Sequence, residues 1–223
     1  MKQEIFEVAG NRNLTDTVFE MLLYGDTSAI TAPGQFINIK LNNFFLRRPI
    51  SVCDCDENGL TIIYKVVGGG TAALANMVPG DEADCLTGLG NGYTLEESGA
   101  RPLLVGGGVG VPPLFGLCKQ LVAQSKQPTV ILGFNTKADG SYGTKGFVTN
   151  AMGGLDYTYC YTCGPEPMLK AVYSAAETGG QFSFEERMGC GFGACMGCSC
   201  ETKYGAKRIC KDGPVLRKEE IVW

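Results

Sequence analysis

Four cysteines near the C-terminus could do chemistry that their neighbours cannot. Cys190, Cys195 and Cys198 stand in a C-x4-C-x2-C pattern within "RMGCGFGACMGCSC", and Cys210 follows in "KRICKDGP". That is the ligand spacing of a plant-type [2Fe-2S] site, in which four thiolates hold two irons. Gly191, Gly193 and Gly197 are interleaved with them, allowing backbone conformations and close approaches that aim N–H groups at sulfur. A structural zinc site is the competing assignment, but zinc modules usually pair two C-x2-C knuckles, and only Cys195 and Cys198 form one. Cys200 complicates the register, because four residues also separate it from Cys195. It is read as a thiol outside the ligand set.

The 223-residue chain contains no histidine. This excludes Ser-His-Asp and Cys-His catalysis, histidine-ligated zinc, a Rieske-type cluster and histidine-ligated haem. A formal charge of −4 without any Lys/Arg run argues against nucleic acid or an anionic membrane as the main partner. The N-terminal "MKQEIFEVAG" has neither an apolar signal core nor a basic leader, and no apolar run approaches the roughly 18 residues that span a bilayer. The expectation is a cytoplasmic protein with no membrane segment. The odd count of eleven cysteines fits reduced thiols and metal ligands better than a disulfide framework.

Three further pieces could hold phosphate. In "LRRPISVCD" the guanidinium of Arg48 could grip a phosphate, for about 1.5 to 3 kcal/mol per charge-assisted hydrogen bond. Pro49 cannot donate to a ladder, so the strand edge there is locally open. "GGGT", Gly68 to Thr71, opens the short helical pattern "TAALANM" and offers a glycine turn at a helix start. In "LLVGGGVGVPP" a buried strand enters a glycine turn, Gly106, Gly107, Gly108 and Gly110, and then a helix whose first turn takes Pro112 and Pro113. The alternating glycines do not meet the G-x-G-x-x-G fingerprint. A matching turn, Cys163, Gly164 and Pro165 of "CGPEPM", follows "YTYCY". Both turns are expected at the carboxyl ends of parallel strands, where open α/β sheets bind ligands.

The elements that must position these residues change character along the chain. From Lys2 to about Leu95, "IFEV", "TVFEMLL", "GQFINIKL", "RPISVCD" and "LTIIYKVV" are short β-rich runs between turn signals, which predicts an antiparallel barrel. From Ala100 to Gly179, "PLLVGGG", the amphipathic "PLFGLCKQLVAQ", "TVILGF", "YTYCYTC" and "EPMLKAVYSAAET" alternate strand and helix, which predicts a parallel sheet. From Gly180 the chain has no period sufficient for a core of its own, and a ligand must organise it. The reading is a multi-domain β plus α/β protein: a barrel over 1–97, a nucleotide domain over 98–179 and a cluster subdomain over 180–223.

An Arg-Pro-x-Ser strand, a Gly-Thr helix start, "GGGVGVPP" and "CGPEPM", in this order, resemble the ferredoxin reductase superfamily. The C-terminal "CGFGACMGCSC" and "ICKDGPV" narrow the resemblance to the electron-transfer subunits of NAD-dependent, class 1B dihydroorotate dehydrogenases. It covers essentially the whole chain. It implies an FAD-binding barrel, an NAD-binding domain and a [2Fe-2S] cap that pass electrons between a partner's FMN and NAD in pyrimidine biosynthesis. Carried over by motif, Arg48, Pro49, Ile50, Ser51, Ile63, Tyr64, Lys65, Gly70 and Thr71 would line FAD, while Cys190, Cys195, Cys198 and Cys210 would ligate iron. The Gly106–Gly110 and Cys163–Pro165 turns would meet NAD(H). The implied partner is an FMN-containing catalytic subunit, in a heterotetramer with two copies of each chain. The chain is expected to be inactive on dihydroorotate without it. A stand-alone flavin and iron-sulfur NAD(P)H reductase serving another acceptor is the alternative.

One departure stands out. The superfamily normally places a helix and a strand between the segments matching "TVILGF" and "DGSYGTKGFVTNAM", and about 18 residues for them are absent after Phe134. Either the sheet is trimmed or the numbering closes over an omitted segment. The second is the expectation, because losing a strand exposes apolar faces of its neighbours.

Overall fold

The computed structural model describes residues 1–135, 143 and 145–223. Six strands close into an antiparallel barrel: β1 (Lys2–Asn13), β2 (Val18–Tyr24), β3 (Phe36–Ile39), β4 (Arg48–Cys55), β5 (Gly59–Lys65) and β6 (Glu82–Leu89), in the order β1-β2-β5-β4-β3-β6. The five runs read from the sequence are β1 to β5. The sixth strand closes the barrel by pairing with both β1 and β3, which removes the free edges. Its inward positions are Ala83, Cys85, Thr87 and Leu89, two of them too small or too polar to advertise a strand. Phe6, Val8, Met21, Leu23, Ile37, Ile39, Leu60 and Ile62 fill the interior. A short helix, α1 (Gly69–Ala75), follows β5.

The second unit is a five-stranded sheet, and it corrects the boundary expected at residue 180. Its strands are β7 (Pro102–Gly107), β8 (Thr129–Gly133), β9 (Tyr159–Cys163), β10 (Gly180–Ser183) and, antiparallel at one edge, β13 (Val215–Arg217). The fully buried "GQFS" of β10 pairs in parallel with β9. This segment therefore belongs to the sheet, and the chain returns to the sheet after the cluster region. Helices α2 (Pro112–Ala123), α3 (Val148–Met152) and α4 (Glu166–Ala175) connect the strands. Pro112 and Pro113 occupy the first turn of α2 as expected, while Leu114, Leu117 and Leu121 bury against Leu104 and Tyr161. Gly116 brings α2 against the barrel, where an added Cβ would lie 3.0 Å from the Cys53 carbonyl oxygen.

Between β10 and β13 lie the cysteine loop and a hairpin, β11 (Ser199–Thr202) and β12 (Gly205–Arg208). Among the described residues β8 is an edge strand with Val130, Leu132 and Phe134 exposed. No strand lies beyond β8 among the described residues, and its apolar side chains are exposed accordingly. Most of the "TKADGSYGT" connection lies outside the described residues.

Candidate functional site: three adjoining cradles

The first cradle is a gap between two barrel strands. β4 and β5 pair from Val52↔Ile62 to Cys55↔Leu60 and no further. Beyond that point Arg48, Pro49, Ile50 and Ser51 pair only with β3, and Ile63, Tyr64 and Lys65 only with β2. The ladder therefore opens along the two runs assigned to FAD, with Pro49 lacking an N–H at the place where the partner strand departs. Arg48 is half-buried, its guanidinium 4.8 Å from the centre of the Phe44 ring and donating to the Leu46 carbonyl. Gly70 lies beneath it. Thr71 takes a different part from the one expected: its hydroxyl oxygen accepts the N–H groups of Val67 and Gly68, at 2.9 and 3.2 Å, and so shapes the turn. The Tyr64 ring points into the barrel, where its hydroxyl donates to Asn11 Oδ1 at 3.0 Å, so only its backbone borders the gap.

The second cradle is made by the two glycine turns, which the adjacent parallel strands β7 and β9 bring together. An added Cβ on Gly110 would lie 2.4 Å from the Cys163 carbonyl oxygen, and one on Gly164 would lie 3.1 Å from the backbone of Gly107. Gly106 is buried under Val111 and Leu114, and Gly107 under Met168. Gly108, with a φ of 53°, has open space beside it. Gly108–Gly110 also lies against β5, so this cradle adjoins the first. Burial pushes the Cys163 thiol up to about 12 and keeps it neutral.

The third cradle is the cysteine loop. Its four candidate ligands fall into two pairs with their own thiols within hydrogen-bonding reach, Cys190 with Cys195 and Cys198 with Cys210. Among the described residues no three candidate ligands gather around a single point. Two pairs suit two irons bridged by sulfide and do not suit one tetrahedral zinc. Gly191 and Gly193 have φ of 79° and 91°, which turn the chain so that the N–H groups of Ala194 and Cys195 face Cys190 Sγ at 3.2 and 3.5 Å. Burial pushes the Cys190 thiol up, but N–H groups from Phe192, Cys195 and Ala194 together with the Cys195 thiol outweigh it and bring it down to about 6. The loop thus stabilises thiolate character before any metal arrives. Gly197 has no such φ; an added Cβ there would make an ordinary 3.6 Å contact with Cys195 Sγ. Cys200 sits on β11 beside a cavity of about 620 Å³ lined by Phe184, Glu186 and Trp223, and it joins neither pair.

Sequence reasoning missed the residues that fasten this loop. Arg208 donates to the Gly193 carbonyl at 2.9 Å while gripping Asp212. From the barrel, the buried Asn38 of β3 donates to the Cys190 carbonyl at 3.3 Å. Arg208 and Asp212 flank Cys210 in the sequence and could have been suspected. Asn38 carried no such signal.

Comparisons with known proteins agree with this arrangement. Residues 185–222 match the iron-sulfur cluster binding domain of dihydroorotate dehydrogenase B. The chain is 41% identical over 257 residues to the dihydroorotate dehydrogenase B (NAD(+)) electron transfer subunit of Geobacillus sp. (strain WCH70), covering 100% of this chain and 99% of the relative. The chain belongs to the family of these electron transfer subunits. The Bacillus caldolyticus member of this family is 41% identical over 255 residues, covering 99% of this chain and 98% of its own. A solved NADH-dependent reduced ferredoxin-NADP oxidoreductase superposes with a TM-score of 0.89 at 30% identity, covering 98% of this chain and 90% of that one. As a family member the chain is an oxidoreductase subunit with the ferredoxin-reductase-like fold, which decides against a stand-alone reductase. The aligned lengths exceed the 223 residues present.

Proposed function

We propose that this electron transfer subunit carries electrons between the FMN of a dihydroorotate-oxidising catalytic partner and NAD, by way of a [2Fe-2S] cluster and FAD. The observation that carries the reading is the contiguity of the three cradles. The cysteine loop rests on β3, β3 pairs with the Arg48–Ser51 run, and the nucleotide turns lie against β5 across the gap.

The bound groups supply the redox chemistry: FAD exchanges a two-electron hydride with the nicotinamide, and the cluster passes single electrons. The residues bind and orient. Arg48 offers its guanidinium to the flavin pyrophosphate at the open strand edge. Ile63 and Lys65 border the gap, and Tyr64 presents only its backbone to it. The Gly106–Gly110 and Cys163–Pro165 turns let the nucleotide approach the backbone. Cys190, Cys195, Cys198 and Cys210 would hold the cluster through their thiolates.

The catalytic partner docks on the outer end of the cluster loop. Cys195 is exposed there, with Phe192 42% and Met196 55% exposed around it, whereas Cys198 and Cys210 are 1% exposed and face the core. An apolar rim around an exposed ligand keeps the transfer distance short and is a surface that a partner can cover. Two copies of each chain form the assembly. We place it in the cytoplasm, a compartment consistent with all eleven cysteines being free thiols. Among the described residues no helix is long and apolar enough to cross a membrane.

Co-purification with an FMN-containing catalytic subunit tests the reading, with FMN, FAD, iron and sulfide assayed in the complex. An equimolar complex with two irons per copy of this chain supports it. A colourless chain holding one zinc overturns it.

A further inference from the structure

Asn38 is 1% exposed, and its Oδ1 is one of two buried side-chain polar atoms without a hydrogen-bond partner among the described residues. Burying an amide acceptor without a donor is costly, so such an atom points to a partner that arrives from outside the chain. Its other end is engaged. Nδ2 donates to the carbonyl of Cys190, and an added Cβ on Gly191 would lie 2.3 Å from it, so the ligand loop is seated directly on this amide.

The strand register says what Oδ1 faces. In antiparallel pairs directly opposed residues project to the same side. Asn38 opposes Pro49 and Phe36 opposes Ser51, while Ile37, Ile39 and Val52 fill the barrel interior. Asn38, Pro49 and Ser51 therefore share the outer face of the barrel, whereas Arg48 and Ile50, opposite Ile39 and Ile37, project to the other; of the residues assigned to the flavin, Pro49 and Ser51 lie on the side of Asn38. One buried amide thus touches the ligand loop with its donor and presents an unused acceptor on the face it shares with Pro49 and Ser51.

We propose that Asn38 is a positioning residue that couples the two redox sites: its N–H holds the Cys190 end of the cluster loop, and its Oδ1 accepts an N–H or O–H of the bound flavin. This rests on the proposed function above. The coupling fixes the separation of the two groups and provides a bonded route between them. With both groups bound, a hydride from NADH would supply two electrons, one for the cluster and one for an added dye.

Stopped-flow absorbance separates bleaching of the flavin from bleaching of the cluster, and electron paramagnetic resonance counts reduced clusters. Asn38→Leu removes both polar ends at nearly constant volume, whereas Asn38→His keeps a donor and an acceptor. The expected result for Asn38→Leu, with iron, sulfide and flavin assayed and rates compared per loaded chain, is cluster bleaching slowed at least tenfold relative to flavin bleaching by NADH. Asn38→His should return to within about threefold of the natural rate, a rescue that mere filling of space would not give. Cluster bleaching in Asn38→Leu that keeps its natural ratio to flavin bleaching overturns the inference, as does a slowing that Asn38→His does not relieve. An unsubstituted chain whose flavin bleaches while its cluster does not contradicts the proposed function and this inference with it. The separate unsubstituted arm tells the two failures apart.

Discussion

Gly70 lies directly beneath Arg48: a Cβ added at Gly70 would stand 1.9 Å from Arg48 Nε and 2.6 Å from its Cζ. Glycine at 70 therefore lets the guanidinium lie where β4 and β5 part. Gly70→Ala should displace Arg48 and weaken FAD binding about as much as Arg48→Ala, roughly ten- to a hundredfold or about 1.5 to 3 kcal/mol. Arg48→Lys should rescue only in part, because the planar fork is lost. Gly68→Ala is the control: its neighbourhood is open, its φ of −178° suits any residue, and FAD retention should be unchanged. Fluorescence titration of the FAD-free protein reads all four, and iron content should not change in any.

Gly110 and Cys163 provide a parallel case for the nucleotide. The atoms that a Cβ at 110 would strike are backbone atoms of Cys163 and Gly164, which cannot rotate away. Gly110→Ala should part the two turns at a cost of about 1 to 3 kcal/mol. Reduction of the flavin by NADH should need roughly five- to a hundredfold more NADH, with FAD and iron content preserved. An unchanged NADH concentration dependence would remove these turns from the nucleotide site.

The cysteine pairs predict which thiols matter. Cys195→Ser, Cys198→Ser and Cys210→Ser should each lose iron and inorganic sulfide, since each pair holds one iron. Cys200→Ser should keep both, because that thiol lies on β11 away from the pairs. Iron analysis decides it: an empty site in Cys200→Ser beside a loaded one in Cys198→Ser would shift the ligand register.

The iron-sulfur binding domain was legible because its candidate ligands are local, with three of them inside nine residues. The barrel was legible as far as β5 because large apolar residues alternate there, and it failed at β6, where Ala83 and Thr87 take inward positions. β10 escaped notice because a strand buried on both faces need not alternate, and "GQFS" carries a single large apolar residue. Asn38 could not be read at all. Its partner Cys190 is 152 residues away, and nothing local distinguishes a buried asparagine in "FINI" from an exposed one. The opening between β4 and β5 was hinted at by Pro49 alone, since its extent depends on how two strands diverge.

The edge position of β8 among the described residues makes a prediction of its own. With Val130 44% and Leu132 47% exposed on the edge strand β8, neither needs to be apolar for stability. Leu132→Lys should change stability by less than about 0.5 kcal/mol and reduce self-association, as charge on an exposed edge does. Thermal melting with light scattering measures both. Destabilisation by several kcal/mol would show that this edge is covered.

The central claim, that the chain relays electrons for a partner and does not oxidise dihydroorotate itself, is tested most directly by two activities measured on isolated and mixed proteins. The isolated chain should oxidise NADH with an artificial dye yet leave dihydroorotate untouched. Adding an FMN-containing catalytic subunit should produce NAD-linked dihydroorotate oxidation, and Cys195→Ser should abolish that coupled rate while sparing much of the NADH-to-dye activity. Dihydroorotate oxidation by the isolated chain, or a full coupled rate in Cys195→Ser lacking its cluster, would contradict the account.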